Sequence, residues 1–225
     1  MLFLFDIDGT LLRGMPPVHR EAICQAVWHV LGIRIVPADL RETAGMTDTA
    51  ILQRILHERA MRDVDIEEAL PQLCRSAADI YDAIVPDDLS PYWTPHVEET
   101  LHSLAGHGGR FGLVTGNIER IAWSKLRSAR LHTYFAVGAF GDEASNRDEL
   151  PALAIARASH HFHHTFAPSE VWVIGDTPLD IMCGRACGVR TIAVATGPVH
   201  SLEALRACQP VHAFADLSGL LALRW

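Results

Sequence analysis

Phe3-Leu4-Phe5-Asp6-Ile7-Asp8-Gly9-Thr10 sets two carboxylates two residues apart at the end of a short apolar run. Such a run is too short for a helix and reads as a buried strand, and the two-residue period of a strand sends Asp6 and Asp8 to the same side. Gly9 then permits a tight turn, and Thr10 supplies a hydroxyl. Asp and Gly also end strands for ordinary conformational reasons, so the weight of this stretch depends on what the rest of the chain places beside it.

Similar apolar runs recur at Phe111–Val114, Phe135–Phe140, Val171–Ile174 and Thr191–Val194, each bounded by Gly or Asp. With Leu2–Phe5 they form a set of buried strands. Amphipathic stretches lie between them, at roughly Ile118–Ala129, Leu150–Ser159 and Pro178–Cys187, the last closed by Gly188. Thr94-Pro95 has the form of an N-cap followed by proline at the first helical position, opening a helix through Val97, Leu101 and Leu104 that stops at Gly106–Gly109. Alternating strands and helices predict an α/β fold, a parallel sheet covered on both faces.

One region breaks this rhythm. Residues 15–93 contain no convincing strand, only helical periodicities: Ala22/Ile23/Ala26/Val27/Val30/Leu31, then Ile51/Leu52/Ile55/Leu56, then Ala69/Leu73/Ala77/Ile80. Residues 1–14 and 94–225 would then build the core, with 15–93 an all-helical cap inserted after the first motif. Prolines at 16, 17, 86, 91 and 95 cluster at its two ends, where stiff hinge segments are expected.

Composition narrows the function classes. The 225 residues are 49% hydrophobic and 20% charged, enough apolar content to bury a full core. With 27 acidic residues against 19 basic, and no block of Lys or Arg, the formal net charge of −8 is the wrong sign for a nucleic-acid partner. Five cysteines, an odd number with no C-x-x-C pair, suit free thiols in a reducing cytoplasm. The apolar start ends at Asp6, so neither a signal peptide nor a membrane span is expected there. His160, His161, His163 and His164 are read as an exposed helix end running into a loop.

Two further stretches end apolar runs. Val114-Thr115-Gly116-Asn117 opens a helix, where a hydroxyl and free backbone N–H groups can hold an anion. Val173-Ile174-Gly175-Asp176-Thr177-Pro178-Leu179-Asp180 contributes a third carboxylate at a strand end and a fourth in the first helical turn. Ligands bind open parallel sheets at the carboxyl ends of their strands, so Asp6, Asp8, Thr115, Asp176 and Asp180 should converge. Carboxylates gathered beside a phosphate dianion would repel it unless cations intervene. Hard oxygen ligands favour Mg²⁺ over zinc.

DIDGT, then T-G-N after an apolar strand, then GDTPLD resemble the motifs of the haloacid dehalogenase superfamily. Their order, and the helical insert after the first motif, look like its phosphoglycolate phosphatase-like members, with a resemblance spanning essentially the whole chain. It implies a three-layer α/β/α, Rossmann-like core. It also implies that Asp6 is a nucleophile forming an aspartyl-phosphate, and that Asp8 protonates the leaving oxygen and later activates water. Thr115 and the N–H groups of Gly116 and Asn117, with Gly9 and Thr10 nearby, would surround the phosphoryl group. The metal would be held by Asp6, the backbone carbonyl of Asp8, and Asp176, with Asp180 a direct or indirect ligand.

The family also calls for a Lys or Arg beside the nucleophile, commonly as Lys-Pro. This chain has Ser145-Asn146-Arg147-Asp148-Glu149 there, which nominates Arg147. Lys125 is the competitor, or else a solvated helix-face residue. Within the insert, Ala44-Gly45-Met46-Thr47-Asp48 interrupts the helical pattern, and the resemblance places a similar Gly-Thr turn facing the core site, making Gly45 and Thr47 expected readers of the substrate.

The reading is a Mg²⁺-dependent phosphatase acting on a small phosphorylated metabolite, phosphoglycolate-like by analogy, with no nucleic-acid or membrane partner. A phosphate-transferring sugar-phosphate mutase of the same superfamily, or a noncatalytic phosphate-binding module, are the alternatives. Carbon–halogen hydrolysis has no leaving alcohol to protonate, so Asp8 would be superfluous to it. Neither the substrate's identity nor the oligomeric state is legible.

Overall fold

The computed structural model describes residues 1–225. Six strands, β1 (Leu2–Phe5), β2 (Arg110–Val114), β3 (Val137–Ala139), β4 (Val171–Gly175), β5 (Arg190–Val194) and β6 (His212–Phe214), form one all-parallel sheet in the order β3-β2-β1-β4-β5-β6. Register places Phe5 opposite both Leu113 and Ile174. The residues that follow these three strands therefore emerge together at one edge. The chain runs outward from β1 through β2 to β3, then crosses to β4 on the other side. That reversal of strand order is where open α/β sheets form their ligand crevice.

Alternation along the strands fills both faces. Phe3, Phe5, Phe111, Leu113, Trp172 and Ile174 pack on one side against α4 (Val97–Gly106) and α5 (Glu119–Ser128). Leu2, Leu4, Val114, Val171 and Val173 pack on the other, against α6 (Leu150–Phe162) and α7 (Pro178–Ala186). Each such side chain stabilises the fold by roughly 1.5–3 kcal/mol on burial, and each half of the alternation is needed to hold its helical layer.

Between β1 and β2 the chain forms no further strand, and ahead of α4 it builds three longer helices: α1 (Val18–Leu31), α2 (Asp48–Glu58) and α3 (Asp63–Ile84). These helices form a separate apolar cluster from the faces read in the sequence, including Ile23, Val27, Leu52, Ile55, Leu73 and Ala77, with Tyr81 added to it. Ile118 and Ile121 join it from the sheet-bearing part of the chain. Short helices α8 (Leu202–Ala207) and α9 (Ser218–Leu221) complete the C-terminal segment.

Several local expectations are corrected. The apolar run at Phe135–Phe140 is a strand only over Val137–Ala139, because Phe135 closes a 3₁₀ turn over His132–Tyr134 and turns inward to the aromatic cluster. Strand β6 was not read, being an edge strand of three half-buried residues. Thr94 does not cap a helix: its hydroxyl donates to the Thr10 carbonyl at 2.6 Å, and α4 begins after His96 in a left-handed conformation. His160–His164 lie at the exposed end of α6, which terminates at His163. The five cysteines are free thiols, and no helix is long and apolar enough to cross a membrane.

Candidate active site

The first motif leaves the sheet at Asp6, whose backbone N–H still donates to Ile174 across the β1–β4 ladder. Its side chain is 9% exposed and accepts a hydrogen bond from the Arg147 guanidinium at 3.0 Å. Gly9 holds φ at +92°, and a Cβ there would lie 2.2 Å from the Asp176 carboxylate, so no other residue allows the turn and the approach together. The Thr10 hydroxyl donates to Asp176 at 3.3 Å and is wholly buried. It therefore steadies a carboxylate and does not line the cavity, which revises its expected contact with substrate.

Asp176 follows β4, and Asp180 sits in the first turn of α7. Thr177 caps that helix and forms a capping box with Asp180, donating to it through its N–H at 2.9 Å and its hydroxyl at 2.7 Å. The other Asp180 oxygen accepts from Arg147. Oxygens of Asp6, Asp176 and Asp180 lie within 4.8 Å of one another, all three residues buried. Asp8's carboxylate stands outside this group.

One cation faces these three carboxylates, and the acid constants record the shortage. Burial first, and then the Asp180 carboxylate, push Asp6 up to about 7 against the pull of Arg147. Burial, and then Asp180 and Asp6, push Asp176 up to about 9. Buried hard oxygens with too little positive charge fit a divalent cation of the Mg²⁺ type. No histidine or cysteine joins the group, which disfavours zinc.

Arg147 begins a 3₁₀ turn ahead of α6 and is 6% exposed. Its fork reaches Asp6, Asp180, the Val114 carbonyl at 3.3 Å and the Gly45 carbonyl at 2.9 Å. Lys125 does not compete for Asp6. It is 1% exposed, so it is not a solvated residue of α5 either, and its ammonium meets both oxygens of Asp8 at 2.6 and 2.8 Å. Burial would raise the Asp8 carboxyl, but the Lys125 ammonium, with the hydrogen bonds from Lys125 and Asn117, outweighs it and holds the group below the usual carboxylate range.

The T-G-N segment closes the far side. Asn117 donates to Asp8 at 2.8 Å and to the Thr115 hydroxyl at 2.6 Å, leaving the Thr115 hydrogen free. Thr115, Gly116 and Asn117 border a cavity of about 400 Å³, together with Asp6, Asp8, Gly9, Gly45, Lys125, Arg147 and Asp176. The helical segment roofs it with Val18, His19, Ile23, Met46 and Tyr81.

The turn before α2 docks onto the core. Gly45, at φ +77°, approaches Thr177 so closely that a Cβ would sit 2.4 Å from its hydroxyl. Thr47 caps α2 and donates to the Ser145 carbonyl at 2.9 Å; Asp48 donates its N–H to Gly116 at 2.7 Å; Thr49 donates to Gly141 at 2.6 Å. Thr47 is 1% exposed and does not line the cavity, so its expected contact with substrate is also revised. His19 and the docking role of Asp48 were missed. The signal for His19 was present: it stands four residues before Ile23, a polar residue on the buried stripe of α1.

Known proteins resemble this chain in sequence and fold. A family model described as haloacid dehalogenase-like hydrolase matches residues 3–194. The chain is 26% identical over 230 residues to a phosphoglycolate phosphatase of Nitrosococcus oceani, covering 98% of this chain and 96% of that one. It is 25% identical to the Escherichia coli phosphoglycolate phosphatase, covering 96% and 89%. A crystal structure of a predicted phosphoglycolate phosphatase from Haemophilus somnus superposes with a TM-score of 0.69 at 18% identity, covering 98% of this chain and 96% of that one. A hydrolase from Pseudomonas syringae gives 0.68 at 19%, covering 97% and 95%. Since the family match takes in all three motifs, the helical segment between the first two and five of the six strands, this chain belongs to the haloacid dehalogenase-like hydrolases.

Proposed function

We propose that this enzyme is a Mg²⁺-dependent phosphatase that hydrolyses a small phosphate monoester through an aspartyl-phosphate on Asp6. The observation that carries this reading is the surroundings of Asp6: a carboxylate at the switch point of the sheet, held by Arg147, grouped with Asp176 and Asp180, and open to a cavity of about 400 Å³. The full-length similarity to phosphoglycolate phosphatases supports it, and phosphoglycolate is by analogy the first substrate to test. Free thiols suit a cytoplasmic enzyme.

Asp6 and Asp176, with the backbone carbonyl of Asp8, would hold Mg²⁺, and Asp180 would be a direct or indirect ligand through the oxygen it shares with Arg147, its other oxygen being held by Thr177. The cation supplies charge neutralisation between the carboxylates and the phosphoryl oxygens. Arg147 aims Asp6 and favours its ionised form against burial and the Asp180 charge. Thr115 and the N–H groups of Gly116 and Asn117 receive phosphoryl oxygens as Asp6 attacks in line. Asp8 gives a proton to the departing alkoxide, then takes one from the water that regenerates Asp6. The helical segment, docked through residues 45–49, keeps bulk water from the site.

Asp6→Asn should leave the fold intact and abolish phosphate release from every monoester, while Asp8→Asn retains a trace, reduced by about 10²–10⁴-fold. Phosphate release by a verified Asp6→Asn sample would exclude the covalent route.

A further inference from the structure

Lys125 is among the largest side chains fully enclosed by the protein. Its ammonium touches Asp8 Oδ1 and Oδ2, Asn117 Oδ1 at 2.6 Å and His19 Nδ1 at 3.1 Å. Facing an ammonium, His19 Nδ1 must accept, so its hydrogen sits on Nε2 and is donated to Asp48 Oδ2 at 3.0 Å. Asp48 in turn accepts from the Ile118 N–H at 2.8 Å. Helices α1 and α2 of the inserted segment thus meet the sheet-bearing core at Lys125 and at the residues around it.

A lysine serving only to stabilise the interior would be satisfied by any buried carboxylate. This one reaches Asp8, the aspartate of the first motif that Arg147 does not touch, and the Asp8 side chain remains 40% exposed towards the cavity. Its two oxygens together accept from Lys125 and Asn117 on one side and are open on the other. Each carboxylate oxygen has two lone-pair sites, so capacity remains for a hydrogen arriving from the cavity. The arrangement is that of a proton acceptor.

We infer that Lys125 is a positioning residue for the second half of the reaction, holding Asp8 as the acceptor for the water that hydrolyses the aspartyl-phosphate. This rests on the reading of Asp6 as nucleophile. In that step the water oxygen bonds to phosphorus, the bond from phosphorus to the Asp6 oxygen breaks, and its electron pair restores the Asp6 carboxylate. The water's proton goes to Asp8, and inorganic phosphate departs. Lys125 keeps its protons and touches no reacting atom. The proton left on Asp8 serves the leaving oxygen of the next turnover.

The test is rapid mixing of the full chain with an aryl phosphate and Mg²⁺. Lys125→Met keeps the length of the side chain and removes the charge. It should release a burst of aryl alcohol approaching one per chain, followed by a steady state at least about tenfold below wild type. Acid-quenched mass spectrometry should then find phosphate on Asp6 in most chains, against a minor fraction in wild type. His19→Ala, at a partly exposed site, should give the same accumulation to a smaller extent, and it decides the matter if Lys125→Met does not fold. Slowing without a burst or adduct, or unchanged turnover, would overturn the role of Lys125. A wild-type protein that releases phosphate without ever labelling Asp6 would instead remove the nucleophile reading on which it stands.

Discussion

Arg147 and Lys125 are both enclosed cations, and both end on aspartates of one short motif, yet their surroundings differ in charge balance. Arg147 is shared among Asp6, Asp180 and two backbone carbonyls, in a cluster whose negative charge exceeds its own. Lys125 is matched to one carboxylate, with neutral partners completing its shell. The first side of the site is therefore built to receive another cation and the second is already balanced. Two aspartates that the strand period would send to the same side have separate tasks because the strand ends at Phe5 and the pleat does not continue to Asp8.

Deleting each cation is the sharpest way to break this contrast. Arg147→Ala strands buried carboxylates and should cost about 3–5 kcal/mol of stability with turnover below detection. Lys125→Ala leaves a carboxylate that can reach cavity water, so a smaller loss of about 1–3 kcal/mol is expected, with residual turnover. Denaturant unfolding and kcat/KM measured on both variants give the ranking, and the reverse order would end the distinction.

Removing the metal should expose the same imbalance through pH. Asp6 and Asp176 have folded values raised to about 7 and about 9, above the ordinary 3.8 that an unfolded chain would show. A raised carboxyl binds its proton more tightly in the folded state. Its contribution is present at pH 4 and is lost as pH rises to about 9. In EDTA, Tm should decline from pH 5 to pH 9, and Mg²⁺ should flatten that decline. A Tm equally insensitive to pH with and without Mg²⁺ would show that the carboxylates are not short of positive charge.

The smallest expected effect lies at the docked turn. Thr49→Val removes one buried hydrogen bond to Gly141 and should cost about 1 kcal/mol. The loss in kcat/KM should be uniform across phosphate monoesters, because the hydroxyl faces the core backbone. A loss confined to particular substrates would return this turn to the role of selectivity element.

Much of this was readable from residue order alone. The central strands announced themselves as short apolar runs, and the placement of Asp6, Thr115 and Asp176 at one edge follows from strand register once the sheet is parallel. The direction of individual hydroxyls was not readable. Thr10, Thr47 and Thr94 all satisfy partners distant in sequence, which local patterns do not encode. Lys125 sat on a helix whose polar face looks solvated until α1 and α3 are laid over it. Strand β6 escaped because an edge strand with a histidine at its start lacks the apolar run that marks an interior one.

The position of β1 has a consequence for how the molecule is made. The first of these six strands to be synthesised is central in the finished sheet, and its two neighbours start at Arg110 and Val171. During synthesis Leu2–Phe5 is an apolar segment with no ladder to join until half the chain has followed, and its second edge stays open until Val171–Gly175 emerges. The helices from Val18 to Ile84, whose contacts are closer in sequence, can collapse long before that. Ordering of Asp6 is thus among the last events of biogenesis, and a nascent chain halted before residue 171 would carry a formed helical segment and an unassembled nucleophile.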